Sequence, residues 1–216
     1  MEQLTGLDWI HSNERRTTDV LLATASLMPI LAGTAVLATA VFVETGTNPV
    51  LIQDRIGTEG RLFRQPKVRS HKSSRDFNDI FDPIAHADRL SRVGGFARSR
   101  HLDDLISVVN ILKGDLSFWG PRPLLTADIE QMEAFLGAGE FDQWLEGYLI
   151  CKKGWLSPYE RWGTKEAEPN TPEAARLRAY WDNFYIENAS RQLDRVLFAD
   201  AISTLLPAGL LKSNKK

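Results

Sequence analysis

The polar and apolar positions of this chain fall into distinct blocks. Residues 1–18 mix the two, with Trp9 and Ile10 as the notable apolar pair and Arg15-Arg16 near the end. From Val20 to Val43 no residue is charged, and the run is bracketed by Asp19 and Glu44. As a helix, its 24 residues are long enough to cross a hydrocarbon core of about 30 Å. Pro29 follows shortly after Ser26 within the run, where the ring removes a backbone hydrogen bond and crowds the preceding turn, so a kink is expected. Beyond the Thr47-Asn48-Pro49 turn, residues 50–63 read as two short strands joined by a glycine-bearing turn and continue into Lys67-Val68-Arg69-Ser70. Leu102, Leu105, Ile106, Val109 and Leu112 keep the i, i+3, i+4, i+7 spacing. That spacing predicts an amphipathic helix ending near Gly114, with Asp103-Asp104 in its first turn.

The remaining blocks are simpler. Residues 71–87 are polar, carry Asp76, Asp79 and Asp82, and read as a connecting segment. Helices are expected over Thr126 to Leu136 and Phe141 to Ile150, followed by a break at Cys151 to Trp155. Residues 157–170 are loop-like, with Pro158, Gly163 and Pro169. Thr171-Pro172-Glu173 is a helix start, a capping hydroxyl followed by proline in the first turn. The helix is expected to run to about Leu206, with Leu193, Val196, Leu197, Ala201 and Leu205 on its apolar face and Pro207 and Gly209 as its stop.

Composition narrows the chemistry. At 216 residues the chain fits one domain with a sizeable core, and its net charge of -2 gives no global attraction to nucleic acid. One cysteine, Cys151, excludes an internal disulfide framework and a cysteine-rich metal site. The histidines, His11, His71, His86 and His101, are scattered without metal-ligand spacing. Arg55, Arg61, Arg64, Lys67 and Arg69 follow the apolar run closely. They suit either a membrane-adjacent basic patch, at about 1 kcal/mol per charge on anionic lipid, or the wall of a phosphate pocket.

Two features stay open at this level. The apolar run fits a transmembrane helix, a cleaved signal peptide with Ala38-Thr39-Ala40 as a small-residue site, or a kinked helix that enters one leaflet and returns. The acid pair Asp103-Asp104 fits plain helix-start decoration, since carboxylates complement the dipole of any helix N-terminus. Its surroundings point further: Arg98 and Arg100 precede the acids and Gly120-Pro121-Arg122-Pro123 follows, and arginine suits bidentate phosphate contact.

The ordered set of motifs resembles the bacterial sugar transferase family, the monotopic polyprenol-phosphate phosphoglycosyl transferases, in its minimal single-domain form. The resemblance runs from about Arg15 to Leu206. It rests on Arg16 and Asp19 before a hydrophobic helix with Ser26 and Pro29; Pro49, Gln53, Arg55, Gly57, Gly60, Phe63, Lys67, Arg69 and Ser70; Arg89, Arg92-Val93-Gly94 and Arg98; Leu102-Asp103-Asp104-Leu105, Asn110, Leu112 to Asp115 and Ser117; Gly120 to Pro123; and Asp182, Tyr185 and Asp194.

The resemblance implies an α+β, mostly helical fold: an N-terminal kinked re-entrant membrane helix, a small β-hairpin, and amphipathic interfacial helices packed around a catalytic helix. Residues 1–46 would form the N-terminal and membrane segment and 47–216 the cytoplasmic catalytic domain, on the inner face of the bacterial inner membrane with about 20–43 inserted. The implied reaction moves a phosphosugar from a UDP-sugar to polyprenol phosphate, releasing UMP, as the first membrane step of glycoconjugate assembly. In it Asp103 matches the aspartyl nucleophile and Asp104 the second acid, both are candidate ligands of Mg2+, and Lys67, Arg69, Arg98 and Arg122 match phosphate-binding positions. The implied partners are the UDP-sugar, polyprenol phosphate and membrane lipid, with a homodimer allowed and no nucleic acid. The chain departs from the family pattern at Asp104, where glutamate is usual, at Lys152 to Ser157 in place of a Pro-Gly-Ile-Thr-Gly-like loop, at Asn48 for glycine and at Ile106 for proline. These departures leave a second reading, a catalytically impaired membrane-anchored relative that acts as a binding or scaffold protein.

Overall fold

The computed structural model describes residues 5–72 and 90–205. The expectations for 73–87, for the stop at Pro207 and Gly209, and for Arg89 lie outside these residues. The described chain is mostly helical: α1 (Thr5–Ile10), α2 (Asn13–Thr45), α3 (Arg92–Ser99), α4 (Val108–Lys113), α5 (Thr126–Phe135), α6 (Ala138–Ile150), α7 (Pro172–Asn188) and α8 (Arg191–Leu205). Strands β1 (Val50–Ile56) and β2 (Leu62–Val68) form an antiparallel hairpin. Strands β3 (Ser117–Trp119) and β4 (Gly154–Leu156) pair in parallel, Ser117 opposite Gly154 and Trp119 opposite Leu156. Helix α2 carries Pro29 and contains the whole uncharged run; among the described residues it is the helix long and apolar enough to cross a membrane. Leu21, Met28, Val36 and Val43 on it are exposed.

The chain divides into two compact units. The first comprises residues up to Val20, Arg55–Phe63, and Lys113 onward. Its apolar core gathers Leu124, Met132, Phe141, Trp144 and Tyr148, with the Trp144 and Tyr148 rings stacked at 5.0 Å. A buried polar network ties its N-terminal residues to the C-terminal helices. Arg15, 1 % exposed, donates through Nη1 to Ile10 O (2.9 Å) and through Nη2 to Tyr185 Oη (3.0 Å) and to Trp119 O, and its Nε lies 3.4 Å from Asp194 Oδ2. Trp9 Nε1 and Tyr185 Oη donate to the same carboxylate at 2.8 and 2.7 Å. Asp19 accepts from Ser117 Oγ (3.0 Å) and from Phe118 N (2.9 Å). A buried charge stripped of such partners would be costly, so these contacts fix residues 9–19 against β3, α7 and α8.

The second unit comprises Leu21–Asp54 and Arg64–Leu112. Ser91 caps α3 by accepting from Gly94 N at 2.8 Å, and Glu44 accepts from Arg92 N and Val93 N at 2.6 and 2.9 Å. Helix α3 falls where the sequence suggested only a lead-in. Its two glycines hide the helical signal, and Gly94 sits so close to Ser70 that a Cβ would meet Ser70 O at 2.3 Å. The expected long C-terminal helix is broken. Ala189 is extended (φ −54, ψ 129), and Ser190 Oγ accepts from Leu193 N to start α8 afresh.

Candidate active site

The acid pair belongs to the second unit, and strand β2 positions it. Val68 N donates to Asp103 O at 2.9 Å, a main-chain tie between the strand end and the turn that carries the acids. Downstream the register continues through side chains: Gln65 Nε2 donates to Ser107 Oγ (2.9 Å), Ser107 Oγ to Pro66 O (3.2 Å) and Asn110 Nδ2 to Arg64 O (3.0 Å). Asp103 and Asp104 themselves do not lie in a helical first turn. They occupy a turn that leads into a 3₁₀ segment, Leu105–Ser107, and only then into α4, so the expected helix keeps its end near Gly114 and loses its first turns. The turn is entered through His101 at φ +55, a left-handed conformation uncommon for a side-chain-bearing residue.

Asp103 and Asp104 are 9 % and 5 % exposed, and Lys67 Nζ lies 2.6 Å from Asp104 Oδ1. Burying two adjacent carboxylates concentrates negative charge, and an ammonium at this distance offsets part of that cost on the second acid. Lys67, expected from the resemblance as a phosphate-binding residue, is thus brought to the acid pair itself. Arg69 is also buried in this unit, where its Nε donates to Asn48 O at 2.7 Å and its amide to Pro49 O at 2.7 Å. Asn48, the residue in place of glycine, closes its own turn by accepting from Val50 N at 3.0 Å. Arg98 stands exposed in the last turn of α3, and its guanidinium has no hydrogen-bond or ion-pair partner among the described residues.

Arg122 belongs to the first unit, on the Gly120-Pro121-Arg122-Pro123 turn. That turn's backbone is fastened along its length: Gly154 N donates to Pro121 O (2.9 Å), Tyr148 Oη to Arg122 O (3.1 Å) and Arg55 Nη1 to Pro123 O (3.1 Å), while Leu124 N donates to Tyr148 Oη (2.9 Å). Gly120 is held at φ +136, and a Cβ on Gly154 would come within 2.1 Å of Gly120 N, so the two backbones touch where β4 leaves the turn. The altered segment Lys152 to Ser157 thus supplies β4. Lys153 is buried beneath it, donating to Cys151 O at 2.8 Å with Nζ 3.9 Å from the Tyr148 ring centroid, and burial pushes its ammonium down to about 8. The Arg122 guanidinium meets Glu160, Nε to Oε1 at 4.0 Å, a residue without a sequence signal.

No group of three or more His, Cys, Asp or Glu side chains suited to a metal occurs among the described residues. Asp103 and Asp104 offer carboxylate oxygens alone, the donor type of a hard cation that completes its shell with substrate phosphate and water.

The chain matches the bacterial sugar transferase family over residues 10–208. It is 27 % identical over 207 residues to the UDP-galactose-lipid carrier transferase of Erwinia amylovora, a match that covers 89 % of this chain and 40 % of that protein. It is 29 % identical over 196 residues to the UDP-glucose:undecaprenyl-phosphate glucose-1-phosphate transferase of Escherichia coli, covering 88 % of this chain and 39 % of the relative. A UDP-N-acetylgalactosamine-undecaprenyl-phosphate N-acetylgalactosaminephosphotransferase of Aeromonas hydrophila is 27 % identical over 226 residues, covering 95 % and 50 %. The chain therefore spans between two fifths and half the length of these relatives. With nearly its whole length inside the family match, the chain belongs to the bacterial sugar transferase family.

Proposed function

We propose that this chain transfers a phosphosugar from a UDP-sugar to polyprenol phosphate and releases UMP. The observation that carries the reading is the buried acid pair whose second member is held by Lys67 at 2.6 Å. In the first step a carboxylate oxygen of Asp103 attacks the phosphorus bearing the sugar; the bond from that phosphorus to the bridging oxygen breaks, and UMP leaves with the electron pair. In the second, a phosphate oxygen of the polyprenol phosphate attacks the same phosphorus and expels Asp103, giving the polyprenol diphosphate sugar. Splitting the displacement in two replaces one encounter between two phosphorylated anions by two encounters with a fixed site. Lys67 neutralises Asp104, so one carboxylate less opposes the incoming diphosphate, and the exposed Arg98 is available to its oxygens. Mg2+ held by Asp103 and Asp104 would supply charge neutralisation to the phosphate oxygens.

Packing supports a particular membrane arrangement. Residues 9–19 and the residues from Ser117 to Asp194 share one buried network, although the uncharged run lies between them in sequence. A helix that spanned the bilayer would separate these partners onto opposite faces, and cleavage after Ala40 would remove Arg15 and Asp19 from the network. Both considerations favour a re-entrant course for about 20–43, with residues 1–46 as the membrane segment, 47–216 as the catalytic part, and the acid pair on the cytoplasmic face where nucleotide sugars are found.

The test is UMP release in vesicles containing polyprenol phosphate, scanned over a panel of UDP-sugars. Asp103→Asn is expected to lower turnover by about a thousandfold or more, and to abolish the phosphosugar mass adduct that accumulates when the acceptor is left out. In the same assay Asp104→Glu is expected to lose activity, because the longer side chain overshoots the Lys67 contact. Full turnover in Asp103→Asn sinks the nucleophile assignment, while a wild-type protein without UMP release or adduct points to the binding or scaffold role.

A further inference from the structure

The end of the apolar helix and the turn that carries the acid pair belong to the same unit, and polar contacts join them without a break. Helix α2 stops at Gly46, held at φ +65, whose amide donates back to Phe42 O at 2.8 Å. Glu44, in the last turn before this stop, is the first charged residue after the uncharged run. Its carboxylate crosses to α3 and accepts from Arg92 N at 2.6 Å and from Val93 N at 2.9 Å, two of the amides that a helix start leaves without an internal partner. Ser91 Oγ takes a third, Gly94 N. An ionised carboxylate also complements the positive end of the helix dipole.

From α3 the contacts reach the acids by two routes. Along the helix, Leu102 N donates to Ala97 O at 2.8 Å and closes α3 onto the turn of Asp103 and Asp104. Across it, Ser91 N donates to Ser70 O at 3.0 Å and Gly94 packs on the same residue, which ties α3 to the end of β2. That strand end carries Lys67 and holds the turn through Val68 N and Asp103 O. Arg69 then returns to the exit of α2, with Nε on Asn48 O and its amide on Pro49 O, both at 2.7 Å. The contacts form a closed ring, attached to the end of α2 through Glu44 on one side and Arg69 on the other. Phe42 and Val43, just before Glu44, are exposed, so the apolar surface of α2 continues up to the residue that makes the latch. A helix advances about 1.5 Å per residue, and a misplacement of about 1 Å at reacting atoms can cost about a hundredfold in rate. Small changes in the seating of α2 are therefore large on the scale that matters to the acids.

We propose that Glu44 is a positioning residue: by capping α3 from the end of the apolar helix, it sets the turn of Asp103 and Asp104 relative to the bilayer, so that turnover follows how α2 is seated in lipid. The inference rests on the phosphosugar-transfer reading above and on the membrane course proposed there for α2. Glu44 touches no reacting atom and acts through α3 and the end of β2.

The test uses the full chain in phosphatidylcholine vesicles whose monounsaturated acyl chains run from about 14 to about 22 carbons, with polyprenol phosphate held constant. KM and kcat for UMP release are measured beside deuterium uptake by the α3 amides. Wild-type kcat is expected to change by about threefold or more across the series, with KM nearly constant. Glu44→Gln, which keeps the size and removes the charge, is expected to lower kcat by about fivefold in the best bilayer, to flatten the thickness profile and to raise uptake at Arg92 and Val93. A role in stability alone would lower Tm and leave the variant with the wild-type profile. That profile in Glu44→Gln, unchanged kcat or α3 uptake in the variant, or a wild-type kcat indifferent to thickness overturns the inference and leaves phosphosugar transfer standing. A wild-type protein that releases no UMP from any UDP-sugar of the panel overturns the underlying reading and the inference with it. If Glu44→Gln fails to fold, Glu44→Asp, which keeps the charge and retracts it by one methylene, is read in the same series with the same outcomes.

Discussion

Single side chains in this protein do two different kinds of work, and burial alone does not tell them apart. Lys67 and Asp104 form a close pair next to Asp103, whereas Arg15 and Asp194 form one that fastens helices. The family resemblance names Lys67, Asp104 and Asp194 singly and gives Arg16 rather than Arg15, so the sequence carries neither pairing nor a signal for which residues are framework. That distinction appears only when Trp9, Tyr185 and Trp119 O are seen converging on Arg15 and Asp194. Asp182 is the framework residue with the clearest consequence. It is fully buried, accepts from Trp144 Nε1 at 3.1 Å, and burial pushes its carboxyl up from 3.8 to about 6 against the opposing pull of Arg178. Because the folded state holds this proton more tightly than the unfolded chain does, the group's contribution to stability is fully present below pH ~4 and is lost as pH rises through about 6. A carboxyl held that far above its ordinary range corresponds to roughly 2–3 kcal/mol. Asp182→Asn removes the titration, so thermal melts between pH 4 and 7 should show the wild type losing stability relative to the variant as pH rises. A gap that stays constant over that range would mean that Asp182 does not carry the titration.

Elements are legible where their periodicity is uninterrupted. The hairpin β1–β2, the helices α5 and α6, and the Thr171 cap, whose hydroxyl accepts from Ala174 N at 3.2 Å, all lie where spacing and turn residues put them. What is not legible depends on contacts between distant segments. The glycines of α3 look like a loop until Gly94 is seen against Ser70, and Ser190 looks mid-helical until its hydroxyl is seen capping Leu193. The parallel pairing of β3 with β4 joins three-residue strands too short to carry a period. This pairing also supports the Arg122 turn, because Gly154 N holds Pro121 O. Gly154→Ala would set a Cβ 2.1 Å from both Gly120 N and Trp119 C, which only backbone movement can relieve. Overpacking of this kind costs about 1–3 kcal/mol, or a fall in Tm of roughly 3–10 °C at this chain length. A variant with unaltered Tm would remove β4 from the support of the Arg122 turn.

At the scale of the whole molecule the informative feature is where the chain meets itself again. An uncharged run of 24 residues lies between Asp19 and Glu44, yet Asp19 accepts from Ser117 and Phe118, and Arg15 pairs with Asp194. Length and composition alone leave spanning, cleaved and re-entrant courses open, since each needs only an apolar helix. The buried partners on both sides of the run support the re-entrant course proposed above, in which they share one aqueous face. Cys151 is fully buried and its thiol is pushed up to about 12, so it stays silent toward thiol reagents in the folded protein and the native chain serves as its own background. Asp8 and Lys165 are both exposed, and Asp8→Cys and Lys165→Cys therefore report the two sides of the run. In sealed vesicles of defined orientation a membrane-impermeant maleimide should reach both cysteines from the cytoplasmic face and neither from the other. Labelling of the two from opposite faces would require residues 9–19 to part from β3 and α8, and would replace the re-entrant course with a spanning one.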